Sequence, residues 1–173
     1  MKENIILIGF MGSGKTTVGN LLAKEMGYTF VDTDELIEKK ANMTIGDIFA
    51  TYGEEAFRSM ESELLEELNE TLDHAVISTG GGLPLRKENA ALLRTLGVVN
   101  YLQVTKEVVL ERLKGDETRP LLAGDNVEQK VEELLSKRDS IYQDASHVTI
   151  DAGKGAPEQV AKDIILNYTS MPN

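Results

Sequence analysis

Four residues at fixed spacing, Gly9, Gly14, Lys15 and Thr16, fit the pattern G-x-x-x-x-G-K-[ST] within the stretch GFMGSGKTT. Glycines at 9, 12 and 14 let the backbone take conformations closed to residues with a Cβ, so successive N–H groups can turn toward one anion. A helix opening near Lys15 adds its unpaired N–H groups and the positive end of its dipole. The chemistry such a loop serves is the holding of a nucleoside triphosphate, with Lys15 reaching the β- and γ-phosphates and the Thr16 hydroxyl ligating Mg²⁺. A glycine-rich turn before a core helix would carry some of the same letters. The flanks favour the phosphate loop: Asn4 to Ile8 reads as a strand buried on both faces, and Val18, Leu21, Leu22 and Met26 form one apolar helical stripe stopped by Gly27.

Other residues stand where their charge needs a reason. Arg138 falls on the apolar stripe of a helix over 127–143, seven residues after Val131 and four after Leu134. A guanidinium there calls for an anion, either an internal carboxylate, solvent reached by snorkelling, or an anionic ligand. Arg58 borders the stripe of another helix, with Glu61 at i+3 either orienting it or forming a surface pair with it. Asp32 and Asp34 leave a strand two residues apart, so in an extended chain they point the same way. One could hold Mg²⁺ and the other accept a hydrogen bond from a substrate hydroxyl; the plainer reading is a helix N-cap, which Asp34 could serve as well. Gly80-Gly81-Gly82 after a strand is either a flexible turn or a place where backbone approaches a ligand closely. Arg119 in a polar loop could neutralise transferring phosphate. His74 and His147 fall outside these clusters and read as surface or strand-edge residues.

The elements that must position these groups follow from periodicity. Strands are predicted at 4–8, 28–31, 75–79, 98–104 and 148–150, with helices from Lys15, over 35–41, from 43 to about 72 with a break near Gly53, over 89–96, from Thr105 to about Lys114, over 127–143 and from Pro157. Five strands alternating with helices, without internal repeat, predict one domain over 1–173: a three-layer α/β/α fold around a parallel sheet, its ligand crevice at the carboxyl ends of the strands. Segments 9–15, 32–34 and 80–82 each follow a strand directly and so converge there. The stretch from 115 to 126 is polar and glycine-bearing, the character of a lid.

Composition bounds the function. With 173 residues, 41% hydrophobic and 27% charged, the chain matches ordinary globular domains. A net charge of −11 repels nucleic acid and anionic membranes, so neither is expected as a partner. It would repel ATP too, so any anion site must be built from locally clustered basic residues. Without cysteine there is neither a disulfide framework nor a thiolate metal site. No apolar run approaches bilayer length and the first strand begins almost at once, so a cytoplasmic location is expected.

Taken together, the chain resembles the shikimate kinases, of the nucleoside monophosphate kinase-like branch of P-loop proteins. The residues that carry the resemblance are GFMGSGKTTVG at 9–19, Asp32 and Asp34 in FVDTD, Phe57-Arg58 with Glu61, the triple glycine 80–82, Arg119-Pro120-Leu121-Leu122, and Arg138 four residues before Tyr142. The resemblance implies a P-loop kinase fold with a five-stranded parallel sheet, a substrate-binding helical region over about 33–62 and a lid over about 115–126. The implied activity is ATP-dependent phosphorylation of the 3-hydroxyl of shikimate, on the route to chorismate and the aromatic amino acids, by a monomer. By the same resemblance, Gly12, Ser13, Gly14, Lys15, Thr16 and Thr17 wrap the ATP phosphates, and Thr16 with Asp32 holds Mg²⁺. Asp34 meets the reacting hydroxyl as candidate base, while Arg58 and Arg138, with backbone at Gly80, Gly81 and Gly82, grip the shikimate carboxylate. Lys15 and Arg119 stabilise phosphoryl charge, and Arg112 lies against adenine with Pro157 nearby. The chain departs from many members at Lys154-Gly155-Ala156, where they carry an arginine or another polar residue. A gluconate or nucleotide kinase of the same branch, or an ATP-binding regulatory module, would share parts of this pattern.

Overall fold

A computed structural model of the chain describes residues 2–114 and 126–172. The lid expected over 115–126 therefore lies outside the described residues except for Asn126, and Arg119 with it. Among the described residues, five strands, β1 (Ile5–Ile8), β2 (Thr29–Asp32), β3 (Ala75–Ser78), β4 (Val98–Gln103) and β5 (Val148–Asp151), form one parallel sheet in the order β2-β3-β1-β4-β5. The order explains the burial. All four residues of β1 and of β3 are buried, whereas the edge strands β2 and β5 are partly exposed, so β1 reads as an unbroken apolar run and β3 as one that ends in Ser78.

Among the described residues the α-helices are α1 (Lys15–Met26), α2 (Thr33–Ala41), α3 (Ile45–Tyr52), α4 (Glu54–Thr71), α5 (Lys87–Leu96), α6 (Lys106–Arg112), α7 (Val127–Ala145) and α8 (Pro157–Thr169). The sheet lies between the pair α1 and α8 and the group α4, α5 and α7. Gly53, at φ 88, separates α3 from α4 and accounts for the break expected there. A 3₁₀ turn at Leu83–Leu85 follows the triple glycine, and α5 starts two residues earlier than periodicity predicts. The strand order changes direction at β1, whose neighbours are β3 on one side and β4 on the other, so the loop after β1 opens at the switch point of the sheet.

At the opposite end the sheet is pinned by one side chain. Asn4, fully buried, donates from Nδ2 to Leu96 O at 2.9 Å and Leu72 O at 3.3 Å and accepts from Ala75 N at 2.9 Å. It thereby joins the ends of α4 and α5 to the start of β3. Asn4→Ala strands these buried groups and is expected to lower unfolding stability by about 2–4 kcal/mol in urea titration; a loss below about 0.5 kcal/mol, the range of ordinary surface substitutions, would contradict this pinning role.

Candidate active site

The loop from Gly9 to Gly14 is held open by its glycines. Gly9, Gly12 and Gly14 all have positive φ, and a β-carbon on Gly9 would stand 2.7 Å from Leu102 O. Lys15 is largely buried and folds back over the loop, its Nζ donating to Gly9 O at 2.8 Å and Phe10 O at 3.0 Å. Gly14 enters α1 in the left-handed conformation, and among the described residues no side chain caps this helix. The N–H groups of its first turn thus face the cleft that Gly12, Lys15, Thr16 and Thr17 line. That cleft has a volume of about 740 Å³ and continues past Asp32 and Asp34 to Gly80 and Gly81.

Two expectations about the aspartates need correction. Asp32 is the last extended residue, and Thr33 already belongs to α2, so Asp34 sits in the first helical turn and the two do not leave an extended chain in parallel. The helix cap is Asp32, whose Oδ1 accepts from Glu35 N at 3.1 Å, and not Asp34. Both carboxylates nevertheless line the cleft. Thr33, which sequence reasoning passed over between two more conspicuous residues, is fully buried and its hydroxyl accepts the Gly80 N–H at 3.0 Å. This bond ties α2 to the triple glycine and commits the Gly80 N–H to the protein itself.

Each glycine of that triplet makes room for a different charged side chain. A β-carbon on Gly80 would lie 2.6 Å from Asp34 Oδ1 and 3.2 Å from Glu61 Oε2; one on Gly82 would lie 2.2 Å from Arg58 Nη2. Gly81 faces Arg138 Nη1 and the phosphate loop at Gly9 O and Met11 N, each 3.6 Å from its β-carbon position. Arg58 and Arg138 are 6% and 4% exposed, which removes both the surface-pair reading of Arg58 and the snorkelling reading of Arg138. Arg58 Nη1 donates to Glu61 Oε1 at 2.8 Å, and Nη2 to Glu54 Oε1 at 3.3 Å. Arg138 Nη1 is buried and has no hydrogen-bond partner among the described residues. Its guanidinium lies 5.8 Å from the Phe10 ring centre. A buried cation in that state is shaped for an incoming anion.

Glu61 is fully buried, and burial pushes its carboxyl up to about 7 despite the opposing Arg58 charge, with Asp34 adding to the rise. Tyr142, like Thr33, has a role that sequence reasoning missed. One turn beyond Arg138, its buried hydroxyl donates to Gly81 O at 2.6 Å and so anchors the turn to α7. Its i+4 spacing from Arg138 was the available signal. On the other side of the loop, Arg112 donates to Gly12 O at 2.9 Å and Ala152 O at 3.1 Å. With Gly155 and Pro157 it lines a hollow of about 340 Å³ beside Gly14. Lys154 instead lines a separate cleft beside α6 and α7. His74 and His147 precede β3 and β5 at the amino end of the sheet, away from these groups.

A family model described as shikimate kinase matches residues 11–169. The chain belongs to the shikimate kinase family. The shikimate kinase of Thermodesulfovibrio yellowstonii is 45% identical over 171 residues, spanning 99% of this chain and 98% of the relative. That of Caldanaerobacter subterraneus subsp. tengcongensis is 40% identical over 169 residues, 98% of each. Among solved structures, shikimate kinase from Acinetobacter baumannii in complex with shikimate aligns with a TM-score of 0.93 at 40% identity, covering 98% of this chain and 94% of that one. The enzyme from Aquifex aeolicus aligns at 0.83 with 37% identity and 96% coverage of both. This chain is accordingly an ATP-dependent kinase that transfers phosphate to shikimate. In such an enzyme Gly82→Ala, which drives a β-carbon into Arg58, is expected to raise the shikimate KM about tenfold or more and to leave the ATP KM within about threefold. Steady-state kinetics checks this, and equal rises would mean that Gly82 supports the whole cleft and not Arg58 in particular.

Proposed function

We propose that the cleft divides the reaction between its two ends: the phosphate loop holds ATP, and the triple-glycine turn holds shikimate by its carboxylate. What carries this reading is the convergence of two buried guanidiniums, Arg58 and Arg138, on that turn, with Asp34 in the same cleft as Lys15. Shikimate offers one carboxylate and three hydroxyls, and two arginines with a hydrogen-bonding aspartate match that set. Lys15 and the first-turn N–H groups of α1 bind the β- and γ-phosphates. Asp34 accepts a hydrogen bond from the 3-hydroxyl and takes its proton as the oxygen bonds to the γ-phosphorus and the bond to the ADP oxygen breaks. Arg119, outside the described residues, is proposed as further positive charge on the transferring phosphoryl group, and Arg112 with Pro157 as the adenine side. Catalysis is then chiefly positioning and electrostatic stabilisation.

Thr16 and Asp32 fit a Mg²⁺ ion in chemistry: both bring hard oxygen donors to the cleft, and the Asp32 carboxylate is oriented by its cap bond to Glu35 N. No group of three or more His, Cys, Asp or Glu residues suited to a metal occurs among the described residues. That accords with an ion held by one or two protein oxygens, water and nucleotide phosphates. When bound, Mg²⁺ supplies charge neutralisation on the β- and γ-phosphates. We also propose that the enzyme acts as a cytoplasmic monomer without nucleic-acid or membrane partners, in keeping with its charge of −11 and with the lack of a helix, among the described residues, long and apolar enough to cross a membrane.

A coupled ADP-release assay over shikimate, quinate, gluconate and nucleoside monophosphates is expected to show turnover with shikimate; turnover confined to gluconate or a nucleotide would overturn the reading. Within that assay Arg138→Ala should raise the shikimate KM by about a hundredfold and the ATP KM far less, since a charged hydrogen bond is worth about 1.5–3 kcal/mol. Equal effects on the two would refute the carboxylate role. Asp34→Asn should lower kcat by about 10²–10⁴ while ATP affinity persists, and near-normal turnover would remove it as base or positioning group.

A further inference from the structure

Among the described residues Glu61 is the one buried carboxylate of the proposed shikimate end that the reaction leaves without a task. Its Oε1 is taken up by Arg58 Nη1 at 2.8 Å, but its Oε2 is buried and has no hydrogen-bond partner among the described residues. The charged groups around it come from several elements. Arg58 lies on its own helix α4 and is shared with Glu54, Asp34 comes from α2 across Gly80, and Arg86 comes from the segment before α5, itself paired with Glu55. From α3 the contact with α4 is Phe49 on Phe57, and on α7 Arg138 stands beside Gly81. Glu61 is therefore a carboxyl held in place by one buried guanidinium, with another carboxylate close by.

A substrate carboxylate docking on Arg58 would give that cation a second buried carboxylate to serve beside Glu61, in addition to the half-exposed Glu54. Desolvation makes two ionised carboxylates on one buried guanidinium unfavourable, and the cheaper state has one of them protonated. The substrate carboxyl is an ordinary carboxylic acid, ionised in water at neutral pH, whereas Glu61 is buried and carries an oxygen without a partner among the described residues that a proton turns into a donor.

We propose that Glu61 is a proton-linked positioning residue: shikimate binding draws one proton onto Glu61, so the affinity for shikimate falls as pH rises. The inference rests on the proposed carboxylate role of Arg58 and Arg138. Its direction follows from linkage. Protonated Glu61 favours the anionic ligand, the ligand raises the affinity of Glu61 for its proton, and between the free and bound titrations the dissociation constant climbs with pH. Burial that pushes Glu61 up to about 7 puts this window at and above neutrality. The two histidines, at the far end of the sheet, do not provide the proton acceptor.

The test is calorimetric titration of the intact enzyme with shikimate alone, without nucleotide, in buffers of different ionisation enthalpy. Near pH 7.5 the expected result is uptake of a large fraction of a proton, and a dissociation constant about tenfold weaker at pH 8.5 than at pH 6.5. Glu61→Gln, an isostere of the protonated acid, should bind shikimate with no uptake and a flat pH profile. The methyl ester of shikimate should bind the unmodified enzyme weakly and without uptake. Buffer-independent heats and a flat profile for the unmodified enzyme overturn the inference, whether or not Glu61→Gln folds. The reading beneath it is tested separately: if Arg58→Lys leaves shikimate affinity unchanged, the carboxylate role itself falls.

Discussion

A guanidinium removed from water must meet an anion, and this protein buries two of them against one turn of three glycines. That constraint organises the substrate end of the molecule. Arg58 is held by Glu61 and Glu54, while Arg138 keeps a buried Nη1 without a partner among the described residues. A buried cation with a donor left over is costly, so a site of this kind calls for rigid surroundings and favours an incoming anion. The rigidity is visible. Tyr142 ties α7 to Gly81, Thr33 ties α2 to Gly80, and the 3₁₀ turn at Leu83–Leu85 follows at once.

The phosphate end solves a different problem by different means. A chain of charge −11 has to bind a polyanion, and on the proposed reading it does so at the phosphate loop. The uncapped start of α1 and the positive-φ glycines present backbone N–H groups, and Lys15 supplies the local cation. Its bonds to Gly9 O and Phe10 O keep that cation on the loop it serves. The parallel sheet sets the distance between the two ends. Because β1 lies next to β3, the loop after one and the turn after the other open side by side, so that a β-carbon on Gly81 would stand 3.6 Å from Gly9 O and Met11 N of the phosphate loop.

Much of this was legible in the sequence for a simple reason: glycines, charges on apolar stripes and buried apolar runs are local signals with global causes. The run Ile5 to Ile8 could only be a strand covered on both faces, and Arg138 on the stripe of its helix could only be a buried cation or one reaching for solvent. What was not legible depended on contacts between distant segments. The start of α2 turned on whether Asp32 or Asp34 capped it, a choice the sequence leaves even because either residue type caps well. Thr33 carries no pattern of its own; its bond to Gly80 exists only because β2 and β3 are neighbours. The separate duties of the three glycines were likewise hidden, since only packing reveals that one clears Arg58 and another clears Asp34 and Glu61.

The central claim is that the buried arginines at the glycine turn are the seat of the substrate carboxylate. A crystal structure of this enzyme with shikimate and ADP bound tests it most directly. The account predicts the carboxylate within about 3 Å of guanidinium nitrogens of both Arg58 and Arg138, and the 3-hydroxyl on Asp34, facing the phosphate loop. A carboxylate seated at the phosphate loop, or hydroxyls in place of the carboxylate against the two arginines, would contradict it.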